Sequence, residues 1–255
     1  MLARQRHDLI LELIRAKGTV RVRALAAELD VSDMTIRRDL DVLAGRNLIE
    51  KVHGGAAQVA NQTTFEPGFD AKRFRQQDEK ARIAQHAVEL VTEGAAIGLT
   101  AGTTTWALAN LLAGIADLTV VTNAPSIAQV LYQSTRAEQT IVLTGGVRTP
   151  SDALVGPLAT QALRQIHLDI VFMGIHGMDA EAGFTTPNLA EAEVNGVFLE
   201  SAARAVVLAD HTKWCIRGLA RIAPLTTADV VVSDNRLPPD AVDAMTQANV
   251  DLVQV

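Results

Sequence analysis

Val31-Ser32-Asp33-Met34-Thr35-Ile36-Arg37-Arg38-Asp39-Leu40 reads as a tight turn followed by the opening of an amphipathic helix. Ser32 stands as an N-cap whose side-chain oxygen can accept a backbone N–H, and Asp33 lies where the helix dipole favours an anion. Ile36, Leu40 and Leu43, spaced by four and three, make the inward stripe. At about 100° per residue that stripe puts Met34, Thr35 and Arg38 on the outward side, with Arg37 flanking them.

Working outward, Leu9, Ile10, Leu13 and Ile14 predict a first helix, ended by Lys17-Gly18. A second, over 22–29, carries Val22, Leu25, Ala26 and Leu29 on one face, and Asp30-Val31 leaves room only for a turn. Downstream, Asn47 suits a helix end that needs the left-handed conformation. Residues 48–52 are strand-like, and His53-Gly54-Gly55 turns them into a hairpin. Two helices, a short turn, a third helix and a hairpin form the winged version of the helix-turn-helix. Arg37 and Arg38 can fork onto guanine O6 and N7 or onto phosphate, and Thr35 can meet a thymine methyl or a backbone oxygen. Asp41 would repel phosphate, so the N-terminal half of the helix is expected to enter the groove. Lys51 and His53, on the hairpin, suit a phosphate or the minor groove. The same pattern also fits a protein-interaction module in which Arg38 and Asp39 form a solvated surface pair.

Composition bounds the rest. With 255 residues, the chain has enough length for one large domain or two modest ones, and 48% hydrophobic residues exclude global disorder. Aromatics at 4% argue against a stacking platform for single-stranded nucleic acid. The single cysteine, Cys215, excludes an internal disulfide or a multi-cysteine zinc site. No apolar run reaches about 18 residues, so neither a membrane span nor a signal peptide is expected, and a cytoplasmic protein is. The net charge of −6 hides a division: residues 1–60 hold 10 Lys+Arg against 8 Asp+Glu, whereas residues 81–255 hold 9 against 17. A mildly basic head on an acidic body implies two parts with different partners. We expect a DNA-binding part at 1–57, a polar linker at 58–76 and a larger domain at 77–255.

In the larger part, apolar strands near 95–99, 118–122, 139–143, 170–173, 205–208, 230–232 and 250–253 alternate with helical stretches. That alternation predicts an α/β domain with a mostly parallel, doubly wound sheet. Ligands of such folds sit outside the carboxyl ends of the strands. There the chain places residues 102–105, Asn123, Gly145-Gly146, residues 174–177, and Asp210 with Lys213. A Gly-Thr-Thr turn supplies N–H groups and hydroxyls for a phosphate, and Lys213 a countercharge. His176 at a strand end can serve as an acid or base, or simply hydrogen-bond a ligand. Glu191 and Glu193, two apart on one helix, point away from each other and read as solvated or structural. Cys215 reads as a small filler, and Trp106 and Trp214 as packing residues.

Val31-Ser32 with Thr35-Ile36-Arg37-Arg38-Asp39-Leu40, then Val52-His53-Gly54-Gly55-Ala56, resembles the signature of the DeoR/GlpR-type bacterial transcription repressors. Asn47 stands where that family usually has Gly. Lys51 replaces a common Arg, keeping charge but losing the bidentate fork. Arg73 and Glu79-Lys80 match a recurring family segment. In the larger part, Gly102-Thr103-Thr104, Thr122-Asn123, Gly145-Gly146, Gly156, Asp169, Gly174, Gly177, Gly183, Asp210 and Lys213 follow the order of the family's sensor domain. That domain is similar to sugar-phosphate isomerases and deaminases such as ribose-5-phosphate isomerase, and in the repressors it binds phosphorylated sugars.

The resemblance implies phosphate contacts from Thr103, Thr104 and Lys213, loop-forming roles for Gly102 and Gly145, and sugar contacts from Asn123 and Asp210. It also implies DNA contacts from Ser32, Met34, Thr35, Arg37, Arg38, Lys51 and His53. Thr100-Ala101 stands where the family commonly has Asp-Ser, and Asn195 where it often has Lys, so the effector is expected to differ or to bind more weakly. The expected function is repression of carbohydrate catabolism or uptake genes by a homodimer or homotetramer on double-stranded operator DNA, modulated by a phosphorylated sugar. No cofactor, metal or catalytic residue is expected. The competing reading is a sugar-phosphate isomerase or amino-sugar-phosphate deaminase with an accessory head. Against it stand the missing acid at Thr100 and the lack of an evident acid–base pair.

Overall fold

Ile10, Ile14, Leu25, Ile36, Leu40 and Leu43 are buried in one cluster, the packing that their helical spacing demands. The computed structural model describes residues 3–45, 48–57, 68–133 and 138–255, so Asn47 and the first ten residues of the expected linker lie outside it. The chain divides into units 1–62 and 63–255. No described helix is long and apolar enough to cross a membrane.

The first unit runs α1 (Ala3–Lys17), β1 (Thr19–Arg21), α2 (Val22–Glu28), α3 (Asp33–Gly45), β2 (Glu50–Val52) and β3 (Gly55–Ala57). The hairpin β2–β3 takes β1 as a third strand, in the order β1-β3-β2, with Val20 opposite Ala56. Strand β1 is invisible in the sequence, because three residues with one apolar side chain carry no period and the pairing partner lies far along the chain. The Gly-Gly turn is a steric requirement. Gly54 has φ +79°, and a Cβ on Gly55 would come 2.0 Å from the Val20 carbonyl oxygen.

Asp39 overturns the reading of a solvated Arg38–Asp39 pair. Three residues past Ile36, it falls on the inner side of α3 and is buried, while Arg38 is exposed. Arg6 of α1 donates Nε to Oδ2 at 2.5 Å, and His7 donates Nε2 to Oδ1 at 2.8 Å. Burial alone would raise the Asp39 carboxyl, but the hydrogen bonds from Arg6 and His7 outweigh it and hold it below its ordinary value.

The second unit begins with α4 (Phe69–Arg73), inside the expected linker, and α5 (Gln77–Val88). It continues through β4 (Ala96–Leu99), α6 (Thr103–Ala109), β5 (Thr119–Thr122), α7 (Pro125–Gln133), β6 (Thr140–Leu143), β7 (Val147–Arg148), β8 (Leu154–Val155) and α8 (Pro157–Leu163). Next come β9 (Ile170–Gly174), β10 (Gly177–Asp179), β11 (Gly183–Thr186), α9 (Leu189–Glu200) and β12 (Ala205–Leu208). Strands β13 (Ala220–Ala223) and β14 (Val230–Ser233), helix α10 (Pro239–Gln247) and strand β15 (Asp251–Gln254) complete it.

Seven strands form a parallel sheet in the order β15-β14-β12-β9-β4-β5-β6. Phe172, Val206 and Leu208 pack on one face, and Val171, Met173 and Val207 on the other, so both faces are buried in apolar layers. The antiparallel sheet β10-β11-β13 and the ribbon β7–β8 have no counterpart in the sequence reading; their strands are too short to show a period. From β4 the chain steps outward through β5 and β6, then returns to the other side of β4 with β9. The β4–β9 boundary is therefore the topological switch point, where the loops leaving two neighbouring strands diverge and open a crevice.

Asp39→Asn is expected to loosen α1 against α3, because it leaves Arg6 short of its countercharge. In the full chain, the free energy of amide hydrogen exchange across α1 and α3 should fall by about 3 kcal/mol. Unchanged exchange there would contradict the role given to this ion pair.

Candidate functional site

The N-terminal half of α3 offers the first candidate surface. Ser32 caps the helix, accepting from Thr35 N at 3.2 Å, and its hydroxyl lies 2.9 Å from that of Thr35. Met34 is 61% exposed, and Arg37 and Arg38 are exposed beside it. Lys51 on β2 is ion-paired with Asp41 of α3. Both members of that pair are exposed, so it is worth little and can open toward a phosphate. His53 is exposed on the turn. The seven residues expected to meet DNA thus come from the start of α3 and from the hairpin.

The second candidate lies at the switch point. Thr100, just after β4, ties the two strand ends together. Its backbone N–H donates to Phe172 O at 3.2 Å, and its Oγ1 accepts from Gly174 N at 3.0 Å. The Thr105 hydroxyl donates back to Thr100 O at 2.7 Å. Thr100 is fully buried, so this departure from the family pattern serves the fold below the cleft. Above it, Gly102 at the end of the β4–α6 loop and Thr103 and Thr104, which open α6, line the cleft together with Gly174, Ile175 and His176 at the end of β9. Lys213, Lys72, Ser151, Thr186, Glu191 and Asn195 complete the walls.

Four of the seven residues expected to bind the effector line this cleft: Gly102, Thr103, Thr104 and Lys213. The other three do not. Asn123 is fully buried, accepting from Ala101 N at 2.9 Å and donating to Leu154 O at 3.2 Å, and so braces the β4–α6 loop from beneath. Asp210 is buried and accepts from Thr212 N at 3.0 Å. Burial pushes its carboxyl up, but Lys213, Thr212 and Lys80 more than reverse this, and it stays a carboxylate. It acts as a counter-ion for the two lysines. Gly145, with φ +74°, shapes the turn after β6. Strand ends can be read from sequence, but the order of strands decides which ends converge.

Lys72, Ser151 and Thr186 escaped the sequence reading because each comes from a segment without a motif. Glu191 is buried and structural, accepting from the Thr149 and Thr186 hydroxyls at 2.6 and 3.2 Å. Asn195, one helical turn on, is buried in the same wall. Trp106 packs as expected, its ring 4.1 Å from the Arg73 guanidinium and edge-on to Phe69 at 6.3 Å. Trp214 is buried, with Nε1 donating to Asp240 at 2.8 Å. Cys215 is exposed with φ +58°, so it is not a core filler.

Lys80 of α5 is buried behind the cleft, where its ammonium donates to the carbonyls of Lys72 at 2.7 Å and Arg75 at 2.5 Å. Burial, then Lys213, lowers its pKa to about 7; Asp210 opposes the shift, and Arg75 and Lys72 add to it. An unfolded lysine near its usual 10.5 binds a proton that the folded one has lost, so stability rises with pH from about 7 to 10.5. In urea unfolding followed by Trp106 and Trp214, the wild type should gain stability relative to Lys80→Met between about pH 7 and 9. Parallel curves for the two proteins would contradict this.

Residues 6–62 match the DeoR-like helix-turn-helix domain, and residues 75–235 match the DeoR C terminal sensor domain. The HTH-type transcriptional regulator GlpR of Haloferax volcanii is 35% identical over 254 residues, covering 99% of this chain and 98% of its own. The glycerol-3-phosphate regulon repressor of Escherichia coli K12 is 30% identical over 249 residues, covering 97% of each. Among solved structures, ribose 5-phosphate isomerase A of Methanocaldococcus jannaschii aligns over 54% of each chain at 19% identity and a TM-score of 0.40, too distant to transfer any chemistry. With both of its domains matched and full-length relatives at this identity, the chain belongs to the DeoR family of transcriptional regulators.

Proposed function

We propose that the chain represses carbohydrate catabolism or uptake genes, and that a phosphorylated sugar entering the cleft changes its hold on double-stranded operator DNA. What carries this reading is the union, in one chain, of a helix face with Met34, Arg37 and Arg38 exposed and Thr35 half-buried among them, and a cleft lined by Lys72, Lys213, Thr103 and Thr104. Residues 1–57 are the DNA-binding part and 77–255 the sensor, with α4 standing in the segment between them. Arg37 and Arg38 read guanine or grip phosphate, Ser32, Met34 and Thr35 lie against the groove, and Lys51 and His53 reach the backbone. One helix-turn-helix covers too little DNA for tight specificity, so a homodimer or homotetramer on repeated half-sites is expected. The protein acts in the cytoplasm, where operator DNA is found.

The effector's phosphate takes hydrogen bonds from Thr103 and Thr104 and charge from Lys213. A relative named for the glycerol-3-phosphate regulon supports a phosphorylated effector of small polyol or sugar type. Sensing rather than turnover is favoured because Glu191, an acid in the wall, commits both carboxylate oxygens to threonine hydroxyls. For the effector to act, it must bind the DNA-competent and DNA-incompetent forms unequally.

Fluorescence anisotropy of a labelled duplex from upstream of the protein's own gene tests the reading at fixed salt, since DNA affinity has meaning only at a stated ionic strength. Binding should be tighter than to random duplex, and one member of a sugar-phosphate panel should shift it. Arg38→Ala should weaken operator binding by about 1–3 kcal/mol. Binding no tighter than to random DNA, with no response to any sugar phosphate, would overturn the proposal.

A further inference from the structure

Helix α4 has five residues, too few to hold itself, and its anchors lie around the cleft. Phe69 N donates to Pro150 O at 3.1 Å, next to Ser151 in the cleft wall. Arg73 and Phe69 grip Trp106 on α6, the helix that Thr103 and Thr104 open. Lys80 closes the far end through the Lys72 and Arg75 carbonyls. From this clamped turn, Lys72 sends its ammonium to the Ser151 hydroxyl at 2.8 Å, and both residues line the same cleft as Thr103, Thr104 and Lys213.

We propose that Lys72 contacts the anionic group of the effector directly, so that ligand occupancy is felt by α4, the first described helix after the DNA-binding part. This rests on the reading of the cleft as a phosphate-ester site. The Ser151 hydroxyl orients the Lys72 ammonium, and an entering phosphate offers it a charged acceptor, the stronger partner. Because the Lys72 backbone carbonyl is bonded to Lys80, a shift of the Lys72 side chain pulls on the same helix that Lys80 secures. The electrostatics agree: Lys213, Arg75 and Lys72 crowd the Lys80 ammonium, with Asp210 as the one opposing charge, and after burial this crowding helps to lower its pKa to about 7. A dianion in the cleft relieves that repulsion. Asn195 supplies no charge from α9, which leaves α4 and the segment after β12 as the cationic walls.

The test uses the full chain, with inorganic phosphate, glycerol 3-phosphate, ribose 5-phosphate and glucosamine 6-phosphate as probes, and two readouts. Calorimetry gives the affinity of each probe, and anisotropy gives operator affinity with and without it. In Lys72→Gln, the probe that binds wild type best should bind about tenfold more weakly or worse, since a hydrogen bond to a charged group is lost. Its effect on operator affinity should vanish. Lys72→Arg, which keeps the charge, should recover part of both, and Ser151→Ala, which removes only the orienting hydroxyl, should lose less than Lys72→Gln. A wild type that responds to a probe together with a Lys72→Gln protein that responds equally overturns this inference alone. A wild type that neither binds a probe nor responds on DNA overturns the proposed function and this inference with it.

Discussion

The reversal of strand order between β4 and β9 is the constraint on which the ligand-binding half of this protein depends. Two parallel strands that are neighbours in the sheet send their connections in opposite directions, and the crevice between those connections exists before any side chain is chosen. Thr100 locks it, joining the two strand ends through its backbone N–H and its hydroxyl. Gly102 and Gly174 follow on either side, and their backbones approach closely: a Cβ on Gly102 would lie 3.5 Å from the Gly174 Cα. A buried threonine can do this work where a carboxylate would need a countercharge.

Charge then sorts the two halves. The larger part of the chain is acidic, yet Lys72, Lys80, Lys213 and Arg75 converge behind and around one cleft, with Asp210 among them as counter-ion. Such clustering costs free energy, most visibly at Lys80, and an anionic ligand reduces that cost. In the first unit the division runs the other way. Asp39, the acid in the middle of α3, is turned inward onto Arg6 and His7, leaving Arg37 and Arg38 on the exposed side. Turning one of its three acids inward makes the exposed side of α3, which keeps Asp33 and Asp41, more positive.

Much of this was legible in the sequence where a period or a cap announced it. Ser32, Ile36, Leu40 and Leu43 place α3 and its outward arginines directly, and alternating strands and helices give the parallel sheet. What escaped has a common physical cause, dependence on partners distant in the chain. Strand β1 exists because β3 pairs with it, and β10, β11 and β13 because they pair with one another. Asn123 and Asp210 stand at strand ends, as expected, but are consumed by internal hydrogen bonds that no local pattern encodes. Lys72 sits in a stretch that reads as a polar linker, and only the packing of Phe69 and Arg73 on Trp106 turns that stretch into a wall of the cleft.

The central claim is that one ligand and one DNA site are coupled through this chain, and coupling is reciprocal. Calorimetric titration of the effector sugar phosphate into free protein, and then into protein saturated with operator duplex, measures it directly. The account predicts two different affinities, their ratio equal to the factor by which saturating effector changes operator affinity. Equal effector affinity with and without operator DNA would contradict it, however tightly each partner binds.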